Sequence, residues 1–573
     1  MKNSILSILY ILSIHLFSVV VVSAASDTIP AALRIYATIH SVGIEWDITG
    51  DDDHDAHCQV QYRKQGTGTW KQAMPLFRID FNGFNGFAGS ILFLEPAGVY
   101  DVFLNLVDPD GGVENRMKIV ATRAVPIKPV GGRTLHVVPG SGGGNGSVSS
   151  PFRGISTAQA VARPGDIFLL HAGDYNGKSG EILFYASGTA GKHIVWQKTG
   201  DGDVFFHDTL RIGADYIWLE GLHIVAEGNG LLTHWSHTPV EVVMTGNTFT
   251  NCHNCINLNH GGTNWYITDN IIVGDVDPAS GRFDGEGIEL NHSSGHIVAY
   301  NSITHVADGI SYPHRNCDIY GNEIFDVADD GIEPDYGYAN NRIWANRISG
   351  AYHNGISFQP MNGAPWYILY NQVAAPQESA MKFRSPVDRA LIAHNTFVGW
   401  QGVQKFGSDN LLAVQSNNNL YISVNNWYAW ENSNGGSPDW RTNLDYDGFD
   451  WSGHAYAVKW GERYPDLVSF ATATGLERHA IRIDKNTCFA TFDVPAAPPA
   501  SVPFQYMTLQ NDCNAVDAGI VLPNINEDFK GAAPDLGAYE VGAPLPYFGP
   551  RMNSVFSKKK GIISPLLLLL LRD

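Results

Sequence analysis

One residue recurs along the middle of this chain at a nearly fixed interval. Asparagine stands at Asn247, Asn270, Asn301, Asn322, Asn346, Asn371, Asn395 and Asn419, with gaps of 23, 31, 21, 24, 25, 24 and 24 residues. Two positions after each comes an apolar or aromatic residue: Phe249, Ile272, Ile303, Ile324, Ile348, Val373, Phe397 and Tyr421. A second signature runs in phase: Gly287-Ile288, Gly309-Ile310, Gly331-Ile332, Gly355-Ile356, Ala380-Met381 and Gly402-Val403. A period of this length demands a repeat architecture. The segments between are too short for helix pairs and rich in Ile, Val, Phe, Asn and Gly, so each repeat reads as one coil of a parallel β-helix. Alternate strand residues then point inward and stack on the same column one coil away. An Asn repeated at a bend can bond its neighbours' amides, so the repeating Asn is structural. Function must lie where the repeat is broken.

The balance of charge narrows the partners. Lys and Arg number 37 against 57 Asp and Glu, a net charge of −20, which argues against nucleic acid. Residues 1–24 read as a signal peptide: Lys2, an apolar run from Ile5 to Val22, and a small-residue cleavage site at Val22-Ser23-Ala24. The expected location is therefore secreted, periplasmic or cell-surface. Six cysteines fit an oxidising compartment, with Cys488 and Cys513 expected to pair. Cys252 and Cys255 have zinc-like spacing, but no second Cys/His pair stands at suitable distance. Near the C-terminus, Lys558-Lys559-Lys560 precede a leucine run, Leu566 to Leu571, too short to span a bilayer.

Residues 27–126 read as a small β-sandwich. Alternation is visible in Leu33-Arg34-Ile35-Tyr36-Ala37 and in Gly43-Ile44-Glu45-Trp46. Trp46, Tyr62 and a Leu94-Glu95-Pro96…Tyr100 corner fall in order. This segment resembles a fibronectin type III domain, which implies a spacing or binding role. Residues 127–150 read as a Pro- and Gly-rich linker. A short helix capped by Ser156 follows, then Ile167-Phe168-Leu169-Leu170 as the first buried strand. The helix would cover the open end of the solenoid, a sheet edge that needs protection. From here to Asp535-Leu536-Gly537-Ala538-Tyr539-Glu540, the chain resembles the right-handed parallel β-helix proteins of the pectin-lyase-like superfamily. The expected β-helix spans 151–545 and a tail 546–573. The superfamily holds polysaccharide lyases, glycoside hydrolases, uronate epimerases and non-catalytic adhesins.

Aligning the coils on the Gly-Ile signature shows where the repeat breaks. Carboxylates concentrate in the middle coils: Glu286, Glu289, Asp308, Asp329, Asp330, Glu333 and Asp335. His353, Lys382 and Arg384 follow a coil or two on. Stacked coils lie about 4.8 Å apart, so these groups come within reach of one another. Such like charges raise one another's pKa unless a cation intervenes, which is costly for stability alone and points to function. Tyr312, Tyr336, Tyr338, Tyr352 and Trp366 offer faces for sugar rings. Asp445 to Asp450 has calcium-loop flavour but no distal Glu, and reads as a turn.

Two chemistries fit. Asp308, the Asp329-Asp330 pair, His353 and Lys382-Phe383-Arg384 resemble the register of the polygalacturonase family. That resemblance implies Asp329 as general acid, Asp308 with Asp330 as base, and Lys382 and Arg384 on the substrate carboxylate, with Gln359, Tyr336 and Tyr352 beside them and no cofactor. Glu286, Glu289 and Arg315 resemble instead the alginate lyase and chondroitinase B family. That resemblance implies Ca²⁺ on Glu289, Glu333 and Asp335, Lys382 as base and Arg384 neutralising the carboxylate. Hydrolysis is placed first and elimination or epimerisation second, on a uronic-acid-containing polysaccharide, by a monomer. A non-catalytic glycan-binding surface protein stays open as a third class.

Overall fold

The computed structural model describes residues 26–177, 180–384, 387–406, 411–436, 438–451, 453–495 and 501–551. The expected leader and the lysine–leucine tail lie outside them. No helix among the described residues is long and apolar enough to cross a membrane.

Two antiparallel four-stranded sheets form the N-terminal sandwich. One holds Ile29–Ala37, Val42–Thr49, Phe84–Ile91 and Phe77–Phe81. The other holds Lys71–Gln72, His57–Lys64, Val99–Val107 and Val113–Ala121. Burial alternates strictly along Val99–Val107, as one solvated and one core face require. Trp46 is fully buried between the sheets. The Tyr100 hydroxyl accepts the Glu95 N–H at 2.9 Å, closing the tyrosine corner.

The rest of the chain is a parallel β-helix. Each coil gives one strand to a fourteen-stranded parallel sheet, and its other strands build a second sheet of twenty-four. Ile288, Ile310, Ile332 and Ile356 stack in register through successive coils and are fully buried. The glycine before each is forced by its neighbour. A Cβ on Gly309 would stand 2.4 Å from the Gly331 carbonyl oxygen, and one on Gly331 would stand 2.6 Å from that of Gly355. The expected asparagine ladder is continuous. Each Nδ2 from Asn247 to Asn395 donates to Oδ1 of the next coil's Asn at 2.9–3.1 Å, and that same oxygen accepts the donor's own backbone N–H. The last rung, Asn419, donates to Asp447 at 3.0 Å. The segment around Asp445 is thus a turn between Asn443–Asp445 and Gly448–Asp450 that ends the ladder.

Two local expectations need correction. The helix is shorter than expected, Ile155–Gln159, and starts from Gly154 with no side-chain cap, so Ser156 lies inside it. Ile167–Leu170 is not the first strand: Thr134–Val138, within the segment read as linker, pairs beneath it.

The sandwich does not hang from a tether. Its Ile39, Met74, Phe77 and Leu92 share one buried cluster with Tyr320, Trp344 and Tyr367 from the outer face of the fourteen-stranded sheet. Arg315 binds Glu45 of the sandwich through both carboxylate oxygens, at 2.7 and 2.8 Å. Asp318 accepts from Arg342, Thr38 and Ser41 in full burial. That face of the solenoid is therefore closed, and the strand column carrying the acids lies on another.

Candidate functional site

The acids stand where each coil bends into the strand that begins with Gly-Ile. The residue just before that glycine has a structural duty. The Asn254 Oδ1 accepts the Glu286 N–H at 3.1 Å, the Asp308 Oδ1 accepts that of Asp330 at 3.0 Å, and the Asp330 Oδ1 accepts that of Asn354 at 2.8 Å. This is a second polar ladder, in which Asp has taken the place of Asn at two rungs. One oxygen of each Asp ties coil to coil. Asp308, Asp329 and Asp330 each offer a carboxylate oxygen, and these oxygens lie within 4.8 Å of one another. All three residues are buried. The Lys382 Nζ is 3.6 Å from the Asp330 Oδ2. Around them, the Ser311 hydroxyl donates to Glu286, and Tyr312 bonds Glu333.

Burial and mutual repulsion together push these acids toward the protonated form. Burial, then the neighbouring carboxylates, raises Glu286 to about 8, Asp329 to about 8 and Asp335 to about 9. Glu333 rises to about 7 for the same reasons, and Asp308 rises well above the usual carboxylate range. Buried polar atoms nearby are also unpaired. Asn354 Oδ1, Ser357 Oγ and His353 Nε2 have no hydrogen-bond partner among the described residues. A site this costly calls for a compensating positive charge.

The other expected residues divide. His353 sits at the edge of the cluster, its Nδ1 3.2 Å from the Glu378 Oε1, and that bond raises its pKa, helped by Asp329. Arg384 is exposed beyond Lys382 and forms no ion pair among the described residues. Of the three acids expected to hold calcium, only Glu333 faces the cluster unencumbered by amides. The two oxygens of Glu289 are each held by an amide, from Asn257 and Asn291. Asp335 accepts the backbone N–H of Gln359, which contributes its main chain to that contact. Tyr336 is 55% exposed and tilted against Tyr312. Tyr352 is half-buried and packs edge-on to His353. Trp366 offers no sugar face: it is fully buried, against Phe358 in the core. Tyr338 turns away toward Arg315 and the sandwich. Cys252 and Cys255 are joined to each other, as are Cys488 and Cys513, so the first pair is not a zinc site.

Ser311, Asn354 and Glu378 do not stand out as a group in the sequence, because serine and asparagine at these columns look like ordinary coil residues; Tyr312 stands out there only as a sugar-stacking face. A further element announces itself only as the 31-residue gap between Asn270 and Asn301. The extra chain is the loop Asp275 to Gly285, where the next coil has only residues 305–307 between its two strands.

The fold is that of the pectin-lyase-like right-handed parallel β-helix proteins, with a buried acidic cluster and one lysine on an open strand column. No known family profile matches the chain. It is similar to pectate lyase L of Dickeya chrysanthemi, at 23% identity over 440 residues, covering 71% of this chain and 90% of that protein. Among solved structures it is similar to a PL6 family polysaccharide lyase from Pseudopedobacter saltans. The TM-score is 0.34 at 11% identity, over 47% of this chain and 82% of that one.

Proposed function

We propose that this protein is a calcium-dependent polysaccharide lyase that cleaves a uronic-acid polymer by β-elimination. The observation that carries it is the convergence of Asp308, Asp329 and Asp330 oxygens within 4.8 Å, with the Lys382 Nζ 3.6 Å from Asp330. An inverting hydrolase needs its two carboxyl groups about 6.5–9.5 Å apart, to seat a water between acid and base. Two oxygens on one Ca²⁺, each at about 2.3–2.6 Å, can be no more than about 5 Å apart. The cluster meets the second condition. The resemblance to pectate lyase L points the same way and directs the first assay to pectate.

The donor set fits the ion. Hard carboxylate oxygens from Asp308, Asp329 and Asp330 would hold it, with Glu333 beside them, and the unpaired Asn354 Oδ1 and Ser357 Oγ lie along the same edge. Bound there, calcium would offset the buried negative charge, neutralise the substrate carboxylate and acidify the adjacent C–H. As the free amine, with the cation in place of an ammonium to answer Asp330, Lys382 takes the proton from the carbon beside that carboxylate. The electron pair released forms the new C=C bond as the bond to the glycosidic oxygen breaks. That oxygen leaves and takes a proton from water. Arg384, exposed and without an ion-pair partner among the described residues, holds the carboxylate of a neighbouring uronate.

The test reads reducing ends and ultraviolet absorbance together on pectate, alginate and chondroitin sulfate, with calcium and with chelator. The expected result is matching growth of both signals, only with calcium. Reducing ends without absorbance would restore the hydrolase reading, with Asp329 as acid.

A further inference from the structure

We propose that Phe283, carried on the loop Asp275 to Gly285, is a stacking platform for a sugar ring at the edge of the cleft. This rests on the polysaccharide lyase reading and adds a binding residue to it.

The loop leaves its own coil and runs along the solenoid axis. At its base, Val276 donates its N–H to the His305 carbonyl, and Gly285 accepts from Ala307 and Asp308. At its crest it reaches coils further on. Gly281, in the left-handed region, lies so close to Tyr352 and His353 that a Cβ would stand 3.0 Å from the Tyr352 ring and 3.5 Å from the His353 Nε2. The residues two before each coil's Gly-Ile step are His253, Gly285, Ala307, Asp329, His353 and Glu378. The loop thus arches from the His253 rung to the His353 rung, alongside the Asp329 rung between them.

The loop is held in place at both ends. His253 lies between two of its carboxylates, with Nδ1 3.1 Å from Asp275 and Nε2 3.2 Å from Asp284. Arg282 bonds Asp284 from within the loop. At the far end, the Phe283 ring stacks on the His353 imidazole, with centroids 5.0 Å apart and planes 27° apart. Yet Phe283 remains 71% exposed. A large apolar ring fixed on one face and open on the other is costly to leave in water. It is placed beside the acids proposed to act on a sugar carboxylate. The C–H face of a pyranose is the complement: apolar, flat, and borne on a chain whose charged groups the adjoining groove receives. No carboxylate of the cluster is used, so the contact adds binding without changing the chemistry.

The experiment measures binding apart from cleavage. Lys382→Ala is the background, and calorimetry follows binding of pectate and alginate fragments of defined length, with calcium. Adding Phe283→Ala is expected to weaken binding about tenfold, and Phe283→Trp to restore it. In the cleaving enzyme, Phe283→Ala is expected to raise KM with kcat little changed. Unchanged affinity in Phe283→Ala would overturn the proposal, as would equal loss in Phe283→Trp, which would mark the ring as a prop for His353. Failure of every fragment to bind the Lys382→Ala background would overturn it as well. If fragments bind but the cleaving enzyme makes no unsaturated ends, the lyase reading falls while the Phe/Ala/Trp series still decides this one.

Discussion

Asp308→Asn is expected to make the calcium-free protein more stable at alkaline pH while abolishing its response to calcium. The buried acids are protonated in the fold at pH values where the unfolded chain has already ionised them. The folded state then binds more protons, so stability falls as pH rises from about 4 toward about 8. For Glu286, lifted from 4.5 to about 8, the loss across that window is roughly 4–5 kcal/mol. The acids are coupled, so these values belong to the cluster rather than to single residues, and the figure for Glu286 is one group's share of a larger loss. The substitution removes one buried charge, and the amide oxygen it introduces can still accept the Asp330 N–H that Asp308 accepts at 3.0 Å. The ladder survives and the repulsion is relieved. A cation at a hundredfold excess over its Kd would stabilise the parent by about 2.7 kcal/mol. For roughly 500 ordered residues, about 2.1 cal/mol/K each makes that a rise in Tm of about 3 °C. Protons compete for the same oxygens, so the rise should be present at pH 8 and absent at pH 5. Thermal melts at both pH values, with calcium and with chelator, read all four conditions. Equal calcium shifts at pH 5 and pH 8, or a retained shift in Asp308→Asn, would refute the placement of the cation on these oxygens.

Three further outcomes follow from particular contacts. Lys382→Ala should lower the elimination rate about 10²–10⁴-fold, with polymer binding retained by calorimetry, since it removes the proposed base and leaves the acids in place. Asn346→Ala should cost about 2–3 kcal/mol in a denaturant melt, because it strands the N–H and the side-chain amide that Asn322 donates to it at 3.1 and 2.9 Å. Arg342→Met should cost about 3–5 kcal/mol and make the sandwich releasable by limited proteolysis, since it leaves Asp318 charged and buried at the junction.

The solenoid was legible because its physics is periodic. A column that must be apolar in every coil writes Ile288, Ile310, Ile332 and Ile356 at matching positions, and a bend that must satisfy its amides writes Asn. The tyrosine corner was legible for a similar reason: one hydroxyl has one backbone partner five residues away. The docking of the sandwich was not. Its junction joins Glu45 to Arg315, and Thr38 and Ser41 to Asp318, across more than 250 residues, and none of these types is unusual on a surface. Trp366 misled for the opposite reason: an aromatic beside the acidic coils can turn inward as readily as outward, and here it fills the core.

The candidate site was half legible, and the second ladder explains which half. Asp308 and Asp330 stand out because they break a repeat, but spacing alone places them in one column without saying how far apart their oxygens lie. On spacing, an acid–base pair flanking a water and a cation cage are equivalent. The closeness of the oxygens favours the cage proposed above. Each Asp spends one oxygen on the next coil's N–H, just as an Asn there would. Asp308, Asp329 and Asp330 each place a carboxylate oxygen within 4.8 Å of the others, close enough to share one ion. On the proposed reading, a structural ladder becomes a metal-binding edge by the smallest change available, amide to carboxylate, with no new backbone geometry. The same change makes the site unstable by itself, which is why loss of the Asp308 charge should stabilise the calcium-free protein.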